Sequence, residues 1–172
     1  VSEKLLLIDQ LTQNLPLVET LPMYGILFDT TTAALEIVFK INDSKEYFEF
    51  RHLINFLIFF ISAIFFYKIL SSRFSHFPIS FLGTIFYILS PRIYGDSFHN
   101  NKDLLFLSLV TISIYYCLKS FEKLNYKNLI PFALFSAFST STRIIGIFLP
   151  VSFLLFYFFK YFSKKTNREE LV

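Results

Sequence analysis

Five uncharged, apolar runs, at 53–67, 77–90, 104–118, 129–142 and 144–159, set the terms on which this chain can fold. Each is 14 to 16 residues long, and charge is confined to the short segments between them. One residue in five is aromatic and Phe alone takes 25 of 172 positions, so too little polar surface exists to cover five such helices. The surplus must face lipid. Each run is shorter than the ~20 residues that cross a bilayer unaided. Flanking apolar residues lengthen some of them, and terminal lysines snorkel. The expected fold class is an all-α, polytopic membrane protein, with about five short spans at 53–70, 74–90, 104–118, 129–142 and 144–159 inside a transmembrane region at 49–172. Only Arg143 separates the last two runs. They read either as two short helices with a turn at Thr142–Arg143 or as one long broken helix.

Residues 1–48 differ. They mix Glu3, Asp9, Glu19, Asp29, Glu36, Asp43 and Glu46 with short apolar stretches, and Pro16 and Pro22 interrupt them. The spacing of Leu5, Leu6, Ile8 and Leu11, and of Ala34, Leu35, Ile37, Val38 and Ile41, predicts short helices with one greasy face at the membrane surface. "NDSKE" predicts a helix start, with Asp43 as N-cap and Glu46 as its capping-box partner. The chain begins with Val, shows no charged leader with a cleavage site, and stops just after a basic cluster. It reads as a piece of a longer protein.

Charge excludes some classes and orients the rest. A net charge of +3 is too small to argue for nucleic acid, and a single Cys excludes a disulfide framework. With five spans, loops 68–76, 119–128 and 160–172 share one side and carry nine Lys/Arg, against six on the other side. The positive-inside rule places the first set in the cytoplasm and the opening segment outside. Three charged clusters then share the outer side: "EYFEFRH" at 46–52, "PRIYGDSFHNNKD" at 91–103, and Arg143 in "STSTRIIG".

Those clusters name a chemistry. Glu49 and His52 share a helix face, as do Arg51 and Asn55. Arg and Lys beside a membrane suit a phosphate or pyrophosphate, Arg by a bidentate fork and Lys as a point charge. A carboxylate nearby acts as general base on an incoming hydroxyl. Together they point to transfer of a group from a lipid-anchored phosphate donor. Arg51, Arg92 and Lys102 are the candidate phosphate ligands, with Glu49, His52, Asp96, His99, Asn101, Asp103 and Arg143 lining the site. Pro91 and Gly95 predict an irregular backbone at 90–103, and Asp103 stands where an N-cap of the next span belongs.

"YGILFD" (24–29), "YFEFRHLINFL" (47–57), "SPRIYGDSFHNNKDLLF" (90–106) and "TRIIG" (142–146), in this order, resemble bacterial membrane glycosyltransferases of the protein-O-mannosyltransferase-like group. That group includes the aminoarabinose transferase that modifies lipid A and belongs to the GT-C superfamily. The resemblance implies a GT-C-like helical bundle in a bacterial inner membrane, with its active site facing away from the cytoplasm. It further implies a polyprenyl-phosphate sugar donor and a protein, lipid or glycan acceptor. By that likeness Arg51, His52, Arg92, Asn101, Lys102 and Asp103 fall on motif positions at the site. The group's catalytic Asp-Glu pair has no match here. Asp9 is followed by Gln, and the pair is expected upstream of Val1.

No Gly-rich phosphate loop, CxxC or HExxH pattern appears, so no cofactor is expected, and participation of a divalent metal stays open. The competing reading is a transporter or non-catalytic membrane scaffold with an outward-facing charged site. A transporter is expected to show internal repeats and charges near the bilayer midplane. This chain shows no repeat, and its charges sit at span ends, which favours the enzyme.

Overall fold

The computed structural model describes residues 27–41 and 43–169. Seven α-helices follow one another: α1 (Leu27–Phe39), α2 (Ser44–Arg73), α3 (Phe77–Leu89), α4 (Pro91–His99), α5 (Asp103–Glu122), α6 (Tyr126–Thr142) and α7 (Phe148–Glu169). A 3₁₀ turn at Ile144–Ile147 joins the last two. No strand occurs among the described residues. The expected pattern at 5–11, Asp9 and residue 42 lie outside the described residues.

α2 and α5 are long and apolar enough to cross a membrane. α3 and the stretch Ile144–Lys160 are shorter apolar helices. α5 is the central element, packed on α6 at one side and α2 at the other. It buries Leu104, Leu105, Ser108, Leu109, Thr111, Ile112 and Ser113 on one broad face, and leaves Ile114 and Leu118 exposed on the other. Leu105 and Leu109 form a core with Phe28, closed by Ile54, Ile58 and Phe135. Elsewhere small hydroxyl residues (Ser62, Ser108, Ser113, Ser136 and Ser139) are fully or almost fully buried, which lets helix backbones approach closely. Outward faces stay greasy: Leu57, Phe60, Ile61 and Ile64 on α2, and Phe77, Phe81, Leu82, Phe86 and Leu89 on α3, are exposed. Water is a poor solvent for such faces and lipid a good one. The molecule is an all-α helical protein of membrane type.

Three local expectations are revised. The 90–103 segment is not irregular, because α4 occupies Pro91–His99. Pro91 sits in the first turn, where its missing N–H costs nothing and its fixed φ favours a helix. Asp103 is the first helical residue of α5, and Lys102 holds the N-cap position. The capping oxygen comes from Asn100, whose Oδ1 accepts from the Asp103 amide at 3.0 Å. Asp43 does stand at the N-cap of α2 but makes no side-chain cap bond, so the capping box with Glu46 does not form. α1 buries Phe28, Thr32 and Glu36 and leaves the greasy face of Leu35, Ile37 and Val38 exposed. The cause is polar. Thr32 donates to the Phe28 carbonyl at 2.8 Å, and Glu36 is drawn inward by a cation on α2.

The last two apolar runs form separate helices. α6 ends at Thr142 with Arg143 extended as its C-cap. Gly146 then folds back against α6 so closely that a Cβ there meets the backbone of Ser139 and Thr140 at 2.5–2.8 Å.

Candidate functional site

The first turns of α2, the length of α4 and the linker to α5 meet at one end of the bundle. Asn55 on α2 donates from Nδ2 to the Ser97 carbonyl on α4 at 3.0 Å, and the Phe56 and Phe98 rings stack at 5.3 Å. These contacts hold α4 across α2. The space left between them is a cavity of about 360 Å³. Arg51, His52, Asn55, His99 and Asn101 supply its polar lining, and the rings of Phe28, Tyr47, Phe48 and Phe98 its aromatic walls.

Arg51 is firmly held. Its Nε donates to Glu36 Oε1 at 2.7 Å, its Nη1 donates to Asp29 Oδ1 at 3.0 Å, and its guanidinium lies 4.1 Å from the centre of the Tyr47 ring. Both acids belong to α1, so this cation fastens α1 to α2. Two carboxylates on one guanidinium give the trio a formal charge of −1. Arg51 is therefore no vacant anion clamp. His52, His99 and Asn101 make no side-chain hydrogen bond among the described residues, so their ring nitrogens and amide are the polar groups this cavity offers to a ligand.

A second charged knot lies beside it. Asp103 Oδ1 accepts from Arg143 Nη2, and Asp103 Oδ2 accepts from Asn100 Nδ2 at 3.3 Å. The ion pair joins the start of α5 to the end of α6.

The structure thus brings Arg51, His52, His99 and Asn101 around one cavity and pairs Asp103 with Arg143. Arg92 is exposed on α4, Lys102 is exposed at the entry to α5, and Asp96 is half-buried on α4; none of the three lines the cavity. Glu49 faces away, in an exposed i,i+4 pair with Lys45. Of the three candidate phosphate ligands, Arg51 is the one that borders this cavity. Sequence reasoning set Asn55 on the helix face of Arg51 without counting it in the site, and it passed over Asp29 and Glu36 as site residues. Asn55 carried a usable signal, since it is the one amide inside the uncharged run 53–67.

Phe28 has a second role. It also borders an apolar cleft of about 320 Å³, walled by Ile58, Ile61 and Phe65 of α2, Leu105, Leu109 and Ile112 of α5, and Phe135 and Phe138 of α6. A polar chamber and an apolar one therefore share a wall residue. No group of three or more His, Cys, Asp or Glu side chains able to hold a metal occurs among the described residues.

Residues 31–172 match the family model of the dolichyl-phosphate-mannose-protein mannosyltransferases. No curated protein and no solved structure matches the chain.

Proposed function

The chain belongs to the dolichyl-phosphate-mannose-protein mannosyltransferase family, and from that premise we propose that it moves a sugar from a polyprenyl-phosphate donor to an acceptor on the extracytoplasmic side of a bacterial inner membrane. Within the family we assign it to the bacterial, GT-C-type group that its motifs resemble. One observation carries the reading. A polar chamber of about 360 Å³ and an apolar cleft of about 320 Å³ abut at Phe28, a division that suits a ligand with a charged sugar-phosphate head and a greasy tail.

The parts divide by chemistry. His52, His99 and Asn101 donate to the phosphate oxygens, and stabilising the charge that develops there makes polyprenyl phosphate a better leaving group. Its bond to the anomeric carbon breaks as the acceptor oxygen bonds to that carbon and gives its proton to a carboxylate base. Arg51 shapes the chamber wall and offsets the charge of Asp29 and Glu36. Arg92 and Lys102, exposed nearby on the same end, add positive potential that draws an anionic headgroup in. The prenyl chain runs past Phe28 between α2, α5 and α6. The acceptor is a protein, a lipid or a glycan.

The full-length protein in nanodiscs, given a polyprenyl-phosphate hexose or the matching nucleotide sugar, tests the proposal. Transfer from the lipid donor alone is expected. Transfer from the nucleotide sugar at an equal rate would overturn it. Ile58→Trp and Leu109→Trp, which fill the apolar cleft, are expected to raise KM for the lipid donor about tenfold by displacing the tail.

A further inference from the structure

We propose that Asn55 is a sugar-recognition residue, accepting a hydrogen bond from a hydroxyl of the transferred sugar in the chamber beside Arg51 and His52. The inference rests on the donor reading above and specifies which atom reads the sugar.

Asn55 is 2% exposed and lies at the floor of the chamber. Its Nδ2 donates to the Ser97 carbonyl. A carbonyl only accepts, so that contact fixes which end of the amide is nitrogen. The other end, Oδ1, is buried and has no hydrogen-bond partner among the described residues. Leaving a buried acceptor unmade is costly, and native proteins rarely do so without a use for it. An oxygen of this kind repels a phosphate and takes an uncharged O–H or N–H. A sugar hydroxyl is such a group, and it arrives attached to the phosphate that His52 and His99 are disposed to meet.

The rest of the chamber agrees. A pyranose presents hydroxyls around its rim and C–H groups on its faces. Phe48 and Phe98 offer apolar ring faces to the latter, and Asn101 offers both a donor and an acceptor to the former. A volume of about 360 Å³ lies at the low end of the ~300–1,000 Å³ usual for small-molecule sites, which fits a monosaccharide. Ser97 and Asn55 also couple recognition to architecture, because the nitrogen that orients the amide is the one that pins α4 to α2.

The test measures equilibrium binding to the full-length protein in nanodiscs. The probes are polyprenyl phosphate, polyprenyl-phosphate mannose and its 2-, 3-, 4- and 6-deoxy analogues. The parent is expected to prefer the mannosyl lipid over bare polyprenyl phosphate, and to bind one deoxy analogue about tenfold more weakly than the rest. Asn55→Ala is expected to erase that discrimination, the mannosyl lipid losing affinity relative to bare polyprenyl phosphate. Equal weakening of every probe by Asn55→Ala makes the residue a support of α4 alone and overturns the assignment. So does a parent that binds all deoxy analogues alike, a result that needs no variant to fold. A parent that binds neither lipid sinks the donor reading and this one with it. A parent that binds both lipids without discrimination sinks only this one.

Discussion

Arg143 and Asp103, 40 residues apart in sequence, form an ion pair that ties the end of α6 to the start of α5. Asn100 backs the carboxylate from the other side: its Oδ1 accepts the cap bond from the Asp103 amide, and its Nδ2 donates to Asp103 Oδ2. The three side chains account for the charged end of "HNNKD" and for the Arg of "TRIIG" together. Their side chains are 40% and 46% exposed at the ion pair, so solvent screens much of the attraction. Arg143→Met and Asp103→Asn, made singly and together, are expected to show a coupling of about 0.5–1 kcal/mol in thermal unfolding. Purely additive effects would mean that the contact does not join the helices. Asn100→Ala removes the cap itself and is expected to cost about 0.5–2 kcal/mol.

Gly146 tests how tightly the chain turns between α6 and α7. A Cβ at this position meets backbone atoms of Ser139 and Thr140, which have no rotamer by which to withdraw. Gly146→Ala is therefore expected to destabilise by about 1–3 kcal/mol. Gly83 gives the contrast. Its Cβ meets only the Leu70 Cδ1 at 2.7 Å, the tip of a side chain that can rotate away. Gly83→Ala also gains up to about 1 kcal/mol of helix propensity and is expected to be near neutral. Thermal midpoints of the two variants in one detergent decide the matter. The reverse ranking would contradict the close approach at Ser139.

Topology is open to chemical labelling. The proposed outward site places α4 outside and the α5–α6 connection inside. Gly95 is exposed with open space where a Cβ would go, and Lys123 is exposed in the opposite connection. In a Cys117→Ser background, Gly95→Cys is expected to react with a membrane-impermeant thiol reagent in intact cells and Lys123→Cys to resist it. The reverse pattern would turn the site toward the cytoplasm.

Elements were easier to read than their partners. Apolar runs located α2, α3, α5, α6 and α7, because a run without charge has few ways to fold other than as a helix in lipid. The Arg143 break was legible too, though its geometry depended on Gly146 meeting a backbone that only the fold brings near. α4 was misread, since Pro91 and Gly95 signal a turn or a helix start with equal force and nothing local chooses between them. The chamber was half legible. "RH" and "HNN" held His52, His99 and Asn101, but no spacing rule relates residues 40 or more apart. Charge counting could not find the pairing of Arg51 with Asp29 and Glu36, which is set by how α1 lies on α2.

That pairing supports the last prediction. α1 touches the bundle over a short stretch, and its apolar residues Ile37, Val38 and Phe39 are exposed. Its C-terminus closes on Lys40, which adopts φ 55°, a left-handed conformation that favours glycine. What holds its inner face is Phe28 in the core and Glu36 on Arg51. The Glu36 side chain is 11% exposed, so removing Arg51 leaves a carboxylate nearly dry and unpaired. Loss of one partner of a buried pair costs more than loss of both. Arg51→Ala is therefore expected to destabilise by about 1–3 kcal/mol, below the full penalty for a dry ion pair because Asp29 is half-exposed. Adding Glu36→Gln to that variant is expected to restore part of the loss, since a neutral amide tolerates the site where a carboxylate does not. Proteolysis at the α1–α2 linker, residues 40–43, gives an independent readout: cleavage is expected to rise in Arg51→Ala and fall again in the double variant. If the double variant is no more stable than Arg51→Ala, the cation acts on the chamber and not on the seating of α1.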